Sequence, residues 1–89
     1  MPYILVSRRL ALIGDSLEDR NSNLETAGEL NFMITSIIKE YMNHKKLNYQ
    51  TINDIVGALE GAKLEFYRRI AEPYENKKIK ENGDVYYEG

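Results

Sequence analysis

The stretch that decides the fold is residues 48–72, NYQTINDIVGALEGAKLEFYRRIAE. Apolar side chains recur along it at helical spacing, which predicts one long amphipathic helix over residues 49–72. Asn48 is its predicted N-cap, because a side-chain oxygen there accepts an amide hydrogen of the first turn. The face that we expect to pack inward comprises Ile52, Ile55, Val56, Leu59, Ala62, Phe66 and Ile70.

Two more helices are predicted before this stretch. The first spans residues 7–20, with Ser7 as its N-cap and apolar residues at helical spacing after it. The second spans residues 27–44 and begins at a T-x-x-E capping box formed by Thr26 and Glu29. Its apolar residues recur at 3-4-3 spacing, which is typical of a helix with one wide buried face.

Pro73 marks the predicted end of the long helix, because proline disfavours the α conformation of the residue before it. It also suits the first position of a new helix, so a short polar helix is expected over residues 73–81, ended by Gly83. Residues 84–89 are expected to form an extended tail. The predicted fold is all-α, a single helical domain over residues 1–89 with one long central helix.

Composition restricts the classes of function. The chain has 89 residues, which suffices for one domain with one compact core. With 12 Lys and Arg against 14 Asp and Glu, it has no net positive charge to attract nucleic acid. It contains no Cys, and His44 is its single histidine, so neither a catalytic triad nor a metal site with paired imidazoles can form. We expect no catalytic residues, no metal and no cofactor.

The N-terminal sequence MPYILVSRRLALIG is not expected to be a signal peptide. Arg8 and Arg9 interrupt its apolar run, and no small-residue cleavage site follows. No apolar stretch approaches the roughly 18 residues that a membrane span requires. We therefore expect no contact with a membrane and a cytoplasmic location.

A patch of small residues lies in the middle of the long helix: Gly57, Ala58, Gly61 and Ala62. Each interior glycine costs about 1 kcal/mol relative to alanine, so an offsetting contact is expected. We predict a close helix crossing, within the chain or between copies; the alternative is a floor for a flat ligand. Because the predicted helix is about 36 Å long, more than a small domain needs, we expect a homo-oligomer.

A cationic and aromatic cluster follows the small-residue patch. Arginine forks match phosphate oxygens and tyrosine rings offer stacking faces, so the cluster favours an anionic, nucleotide-type ligand. The predicted ligand-binding residues are Arg68, Arg69, Tyr67, Tyr74, Lys63, Asn53, Asn48 and Lys77. The alternative is a salt-bridged surface, because acidic residues such as Glu60, Glu65, Glu72 and Glu75 are interleaved with these cations.

Three blocks of the sequence resemble a small uncharacterised protein family of bacteria and their phages. The blocks are GELNFMIT at residues 28–35, LNYQTINDIVGALEGAKLEFYRRIAEPYE at residues 47–75 and KIKENGDVY at residues 78–86. The resemblance also includes the N-terminal MPYI. It implies an α-helical fold and a phage origin, in which case the location is the host cytoplasm. It assigns no catalytic residues.

These observations lead to three functional hypotheses. The first is a non-enzymatic protein that sequesters an anionic nucleotide-type immune signal in pockets near subunit interfaces. The second is a protein–protein interaction module, such as a phage inhibitor or adaptor of a host protein. The third is a small nucleotide-processing enzyme that uses Glu and Tyr side chains.

Overall fold

The computed structural model describes residues 2–13 and 23–86 as a set of helices. Their bounds are Val6–Ile13 for α1, Ala27–His44 for α2, Tyr49–Phe66 for α3, Tyr67–Ala71 for a π-helical turn and Glu72–Asn82 for α4. No β-strand occurs in the two described ranges. The predicted all-α fold class is confirmed.

Helix α1 begins earlier than the sequence predicts. The Arg9 amide donates to the Leu5 carbonyl at 2.9 Å, and the helix already includes Val6. Ser7 therefore lies in the first turn and is not the N-cap. Residues 14–20 of the predicted first helix lie outside the described residues.

Side-chain caps fix the start of α2. The Thr26 hydroxyl accepts a hydrogen bond from the Glu29 amide at 3.1 Å, as the capping box predicts. The Glu29 carboxylate accepts from the amide of Glu25 at 3.0 Å, one residue before the N-cap. Two backbone donors that a helix start leaves without partners are thus satisfied by side chains.

The connection between α2 and α3 is held by Thr51, which is 6% exposed. Asn48 accepts the Thr51 amide at 2.9 Å, which confirms the predicted N-cap of α3. The Thr51 hydroxyl donates to the Lys46 carbonyl at 2.7 Å and lies 3.2 Å from the Asn48 side-chain oxygen. Three hydrogen bonds from one residue therefore tie the interhelical loop to the first turn of α3.

The predicted helix end at Pro73 is not observed. Ala71 and Glu72 keep right-handed helical backbone angles, and the Glu72 amide donates to the Tyr67 carbonyl five residues earlier. Proline lacks an amide hydrogen and its ring clashes with the carbonyl four residues before it. A wider π turn directly before Pro73 lets the helix pass the proline without ending.

The long helix, which we define as α3, the π turn and α4 together, contains 34 residues. At about 1.5 Å per residue it is about 51 Å long, so it accounts for the 54 Å longest dimension of the molecule. Gly83 ends it with a positive φ of 91°. The Gly83 amide donates a hydrogen bond to the Ile79 carbonyl at 2.8 Å. Val85 and Tyr86 then form a turn instead of the predicted extended tail, and residues 87–89 lie outside the described residues.

One copy of the chain forms no apolar core in its described residues. Thr51 is the single buried residue there, and Val56, Phe66 and Ile70, which were predicted to face inward, are 57–60% exposed. The accessible surface is 8392 Å², whereas a compact monomer of 10.3 kDa exposes about 5,400 Å². The prediction of one compact core within the chain is therefore wrong.

Candidate functional site

One concave feature of the described residues is an apolar cleft between α2 and α3. Its volume is about 300 Å³. The side chains that line it are Ile34, Ile37, Ile38 and Tyr41 of α2 and Asp54, Ile55, Ala58 and Leu59 of α3. On α2 these residues occupy positions i, i+3, i+4 and i+7, and on α3 positions i, i+1, i+4 and i+5, so on each helix they share one face. We call this feature the α2–α3 cleft.

The chemistry of the α2–α3 cleft is almost wholly aliphatic. Its single acidic group, the Asp54 carboxylate, accepts a hydrogen bond from the Gln50 side-chain amide at 2.8 Å. The Tyr41 ring contributes an aromatic wall, and the Lys45 ammonium lies 6.0 Å from its centroid. A cleft with this lining can bind apolar surface.

A second cluster joins the N-terminal segment to the end of α3 and the start of the π turn. Tyr3 donates its hydroxyl hydrogen to the Glu65 carboxylate across a separation of 62 residues. Arg68 donates to the same carboxylate oxygen at 2.8 Å. The Arg9 guanidinium lies 5.9 Å from the Tyr3 ring centroid and donates to the Ile4 carbonyl at 2.6 Å. We call this cluster the Tyr3–Glu65–Arg68 tie, since it fastens the N-terminal segment to the end of α3.

The tie perturbs both of its charged members. The hydrogen bond from Tyr3, and after it the one from Arg68, lowers the pKa of the Glu65 carboxyl below its ordinary value. The hydrogen bond to Glu65 raises the pKa of Arg68. Arg68 is therefore committed to a carboxylate within its own chain, in the position where the sequence predicts a phosphate contact.

Other predicted ligand-binding residues also have acidic or aromatic neighbours. Lys63 lies 3.6 Å from Glu60, and the Tyr74 ring lies 5.6 Å from the ammonium of Lys78, which pairs with Glu81 at 3.4 Å. None of the eight predicted ligand-binding residues lines the α2–α3 cleft. Asn48 is occupied by the N-cap of α3, while Asn53, Arg69 and Lys77 are exposed. A nucleotide-type site here stays a prediction.

At Gly57 the described residues form no close helix crossing within the chain. A side chain added at Gly57 would meet no atom within 4 Å, and Ala62 is exposed. Ala58 lines the α2–α3 cleft and Gly61 is half-buried. The sequence allows a helix crossing either within the chain or between two copies. For Gly57, the crossing between copies stays a prediction.

Two features of the site were missed by sequence reasoning. The π turn contains Tyr67, Arg68 and Arg69, and the nearby Pro73 was its available signal. The contact of Tyr3 with Glu65 had no signal, because nothing in local spacing relates residues so far apart.

The described residues contain no group of three or more His, Asp or Glu side chains placed to hold a metal ion. Within the same residues, no helix has both the length and the apolar character to cross a membrane.

Comparison with curated proteins gives no match, and comparison with solved structures gives none either. The family model described as a domain of unknown function, DUF6899, matches residues 1–85. That match covers nearly the whole chain and includes α1, α2, the long helix and Gly83. The chain belongs to the DUF6899 family.

Proposed function

We propose that this protein is a non-enzymatic interaction module whose α2–α3 cleft receives the apolar face of an α-helix. The observation that carries the proposal is the cleft itself, an aliphatic groove left open to water in a chain that buries no apolar residue among those described. Soluble monomers rarely expose large contiguous apolar surfaces, and those that do use them for binding.

The lining of the cleft matches the way grooves bind helices. Such grooves accept side chains that recur at i, i+3, i+4 and i+7 on an amphipathic helix. Ile34, Ile37, Ile38 and Tyr41 follow this spacing along α2. Ala58 opposite them is small, which lets the backbone of an incoming helix approach closely. The cleft thus combines apolar walls with room for a helix.

Thiol labelling tests the proposal, because the chain has no Cys and each engineered Cys is unique. Ile37 and Phe32 both lie on α2 and are 63% and 67% exposed, but only Ile37 lines the cleft. We expect Ile37→Cys to react with a maleimide at least about tenfold more slowly than Phe32→Cys. This difference should appear either in the native protein alone or after an excess of an amphipathic helical peptide is added. Equal rates under every one of these conditions would refute a helix-binding cleft.

A second candidate function is the binding of an anionic nucleotide-type ligand near a subunit interface, with sequestration of an immune signal as its purpose. The observation that favours it is the π turn, because π turns occur frequently at functional sites and this one contains Tyr67, Arg68 and Arg69. A bound nucleotide would raise the 260/280 nm absorbance ratio of the purified protein, which has no Trp. A normal ratio, with no thermal shift from cyclic nucleotides or ADP-ribose, would exclude it.

A further inference from the structure

The exposed surface of α3 carries an apolar ridge beside the α2–α3 cleft. Ile52, Val56 and Leu59 are 44%, 60% and 42% exposed. They lie four and three positions apart on α3, the spacing that a helix-binding groove accepts. Leu59 belongs to both the ridge and the lining of the cleft. One chain therefore presents a groove for a helix and, next to it, a helix face that fits such a groove.

On this basis, and resting on the function proposed above, we propose that the occupant of the cleft is α3 of a second copy of this chain. A two-fold axis brings the ridge of each copy into the cleft of the other, as an isologous interface requires. The two α2–α3 pairs then form a four-helix bundle, in which the aliphatic residues of both helices face a common core.

Surface area is consistent with this pairing. The chain exposes roughly 3,000 Å² more than a compact monomer of its mass. Obligate dimers bury about 2,000–5,000 Å² in total, or about 1,000–2,500 Å² per subunit. The excess is large enough to supply an interface of this class. The net charge of −2 creates little repulsion between copies.

Two observations favour a second copy over other occupants. Residues 14–22, GDSLEDRNS, contain one large apolar side chain, Leu17, against the three of the ridge on α3. A foreign helix would fill the cleft but leave the ridge of Ile52 and Val56 in water. The described residues bury no apolar side chain, so covering them would be favourable, and another copy is present wherever the chain is made.

The test is the mass of the purified protein in solution, measured by light scattering on a sizing column. We expect twice the 10.3 kDa chain mass for the unaltered protein. Ile37→Asp should shift the population to monomer, whereas Phe32→Asp, about 140° away around α2, should leave the dimer intact. Monomeric unaltered protein at about 100 μM would overturn the proposal. So would dissociation by both variants to the same extent.

A conservative variant covers the case in which Ile37→Asp does not fold. The labelling rate of Ile37→Cys should fall at least about tenfold between about 1 and 100 μM protein, with no change for Phe32→Cys. A rate that is independent of protein concentration but falls on adding an amphipathic helical peptide overturns the second copy and leaves the interaction module standing. A rate that responds to neither overturns both.

Discussion

In α3, the side chains of Ile55, Ala58 and Leu59 line an apolar cleft, whereas the exposed surface of α4 carries charged groups that pair with each other, such as Lys78 and Glu81. Both belong to one continuous helix, and both lie in water in a single chain. The ion pairs of α4 are satisfied without a partner. The aliphatic side chains of α3, by contrast, remain exposed to water in a single chain.

If the cleft is covered by a partner as proposed, the two regions should depend differently on association. Exposed ion pairs contribute little to stability, so α4 neither gains nor loses much from its surroundings. Apolar side chains contribute in proportion to the area removed from water, so those of α2 and α3 would contribute more once a partner covers them. We therefore expect substitutions in the cleft to have large effects and equivalent substitutions in α4 to have small ones.

The largest effect should come from Ile34→Asp in the cleft, compared with Ile79→Asp in α4. The two isoleucines are matched in exposure, at 40% and 41%. A charge in a covered apolar interface should lower the free energy of unfolding by about 3 kcal/mol, whereas the α4 variant should stay within about 0.5 kcal/mol of the unaltered protein. Urea denaturation at one protein concentration measures both. Equal losses would remove the distinction between the two regions.

A smaller effect is expected from Thr51→Val, which keeps the shape of the side chain but removes the hydroxyl that donates to the Lys46 carbonyl. Loss of that hydrogen bond should lower the free energy of unfolding by about 1 kcal/mol. Thr51→Ser retains the hydroxyl and is the control, with most of the stability preserved. If valine proves as stable as serine in urea, the hydroxyl does not hold the α2–α3 connection.

A pH-dependent effect is expected from the Tyr3–Glu65–Arg68 tie. The folded pKa of Glu65 lies below its ordinary value of 4.5, so the tie stabilises the protein above that pH. This stability is lost as the pH falls through the lower folded pKa. We expect the urea midpoint of Glu65→Gln to fall less on acidification from about pH 5 than that of the unaltered protein. Tyr3→Phe, which removes the hydrogen bond from Tyr3 to Glu65, should reduce the pH dependence of the urea midpoint in part. If the urea midpoints of all three proteins change identically with pH, the tie does not contribute to stability.

The smallest effect should come from Lys78→Ala in α4. The ammonium lies 3.4 Å from Glu81 and 5.6 Å from the Tyr74 ring, but it is half exposed. We expect the free energy of unfolding to change by about 0.5 kcal/mol or less, and the change to shrink further in high salt. A loss comparable to that of Ile34→Asp, measured in the same urea series, would show that α4 is not independent of association.

Local features of the fold could be predicted because their causes are local. Thr26 and Asn48 cap helices through atoms three residues away, and the residue types alone indicate this chemistry. The apolar spacing also placed Ile55 and Leu59 correctly on one face of α3. Periodicity shows which side chains share a face but not what covers that face, so a core within the chain was predicted where the structure leaves an open cleft.

Non-local features could not be predicted in the same way. The contact of Tyr3 with Glu65 depends on how the N-terminal segment returns to α3. A helix end was predicted at Pro73 because helices generally end before a proline. The chain has a π turn there instead. The two alternatives differ in the hydrogen bond of one backbone amide, and sequence patterns do not resolve that difference. The candidate cleft needed both helices in place before its shape was defined.

The π turn also sets the phase between the two halves of the long helix. A five-residue hydrogen-bonded turn contains one residue more than an α-helical turn, equivalent to about 100° of rotation. Side chains after Ala71 are therefore offset from the stripe that an uninterrupted α-helix would continue from α3. A straight partner helix that packs along Ile52, Val56 and Leu59 is therefore not aligned with the corresponding side chains of the long helix beyond residue 71. The turn thus gives the long helix two separately oriented surfaces, one before it and one after it.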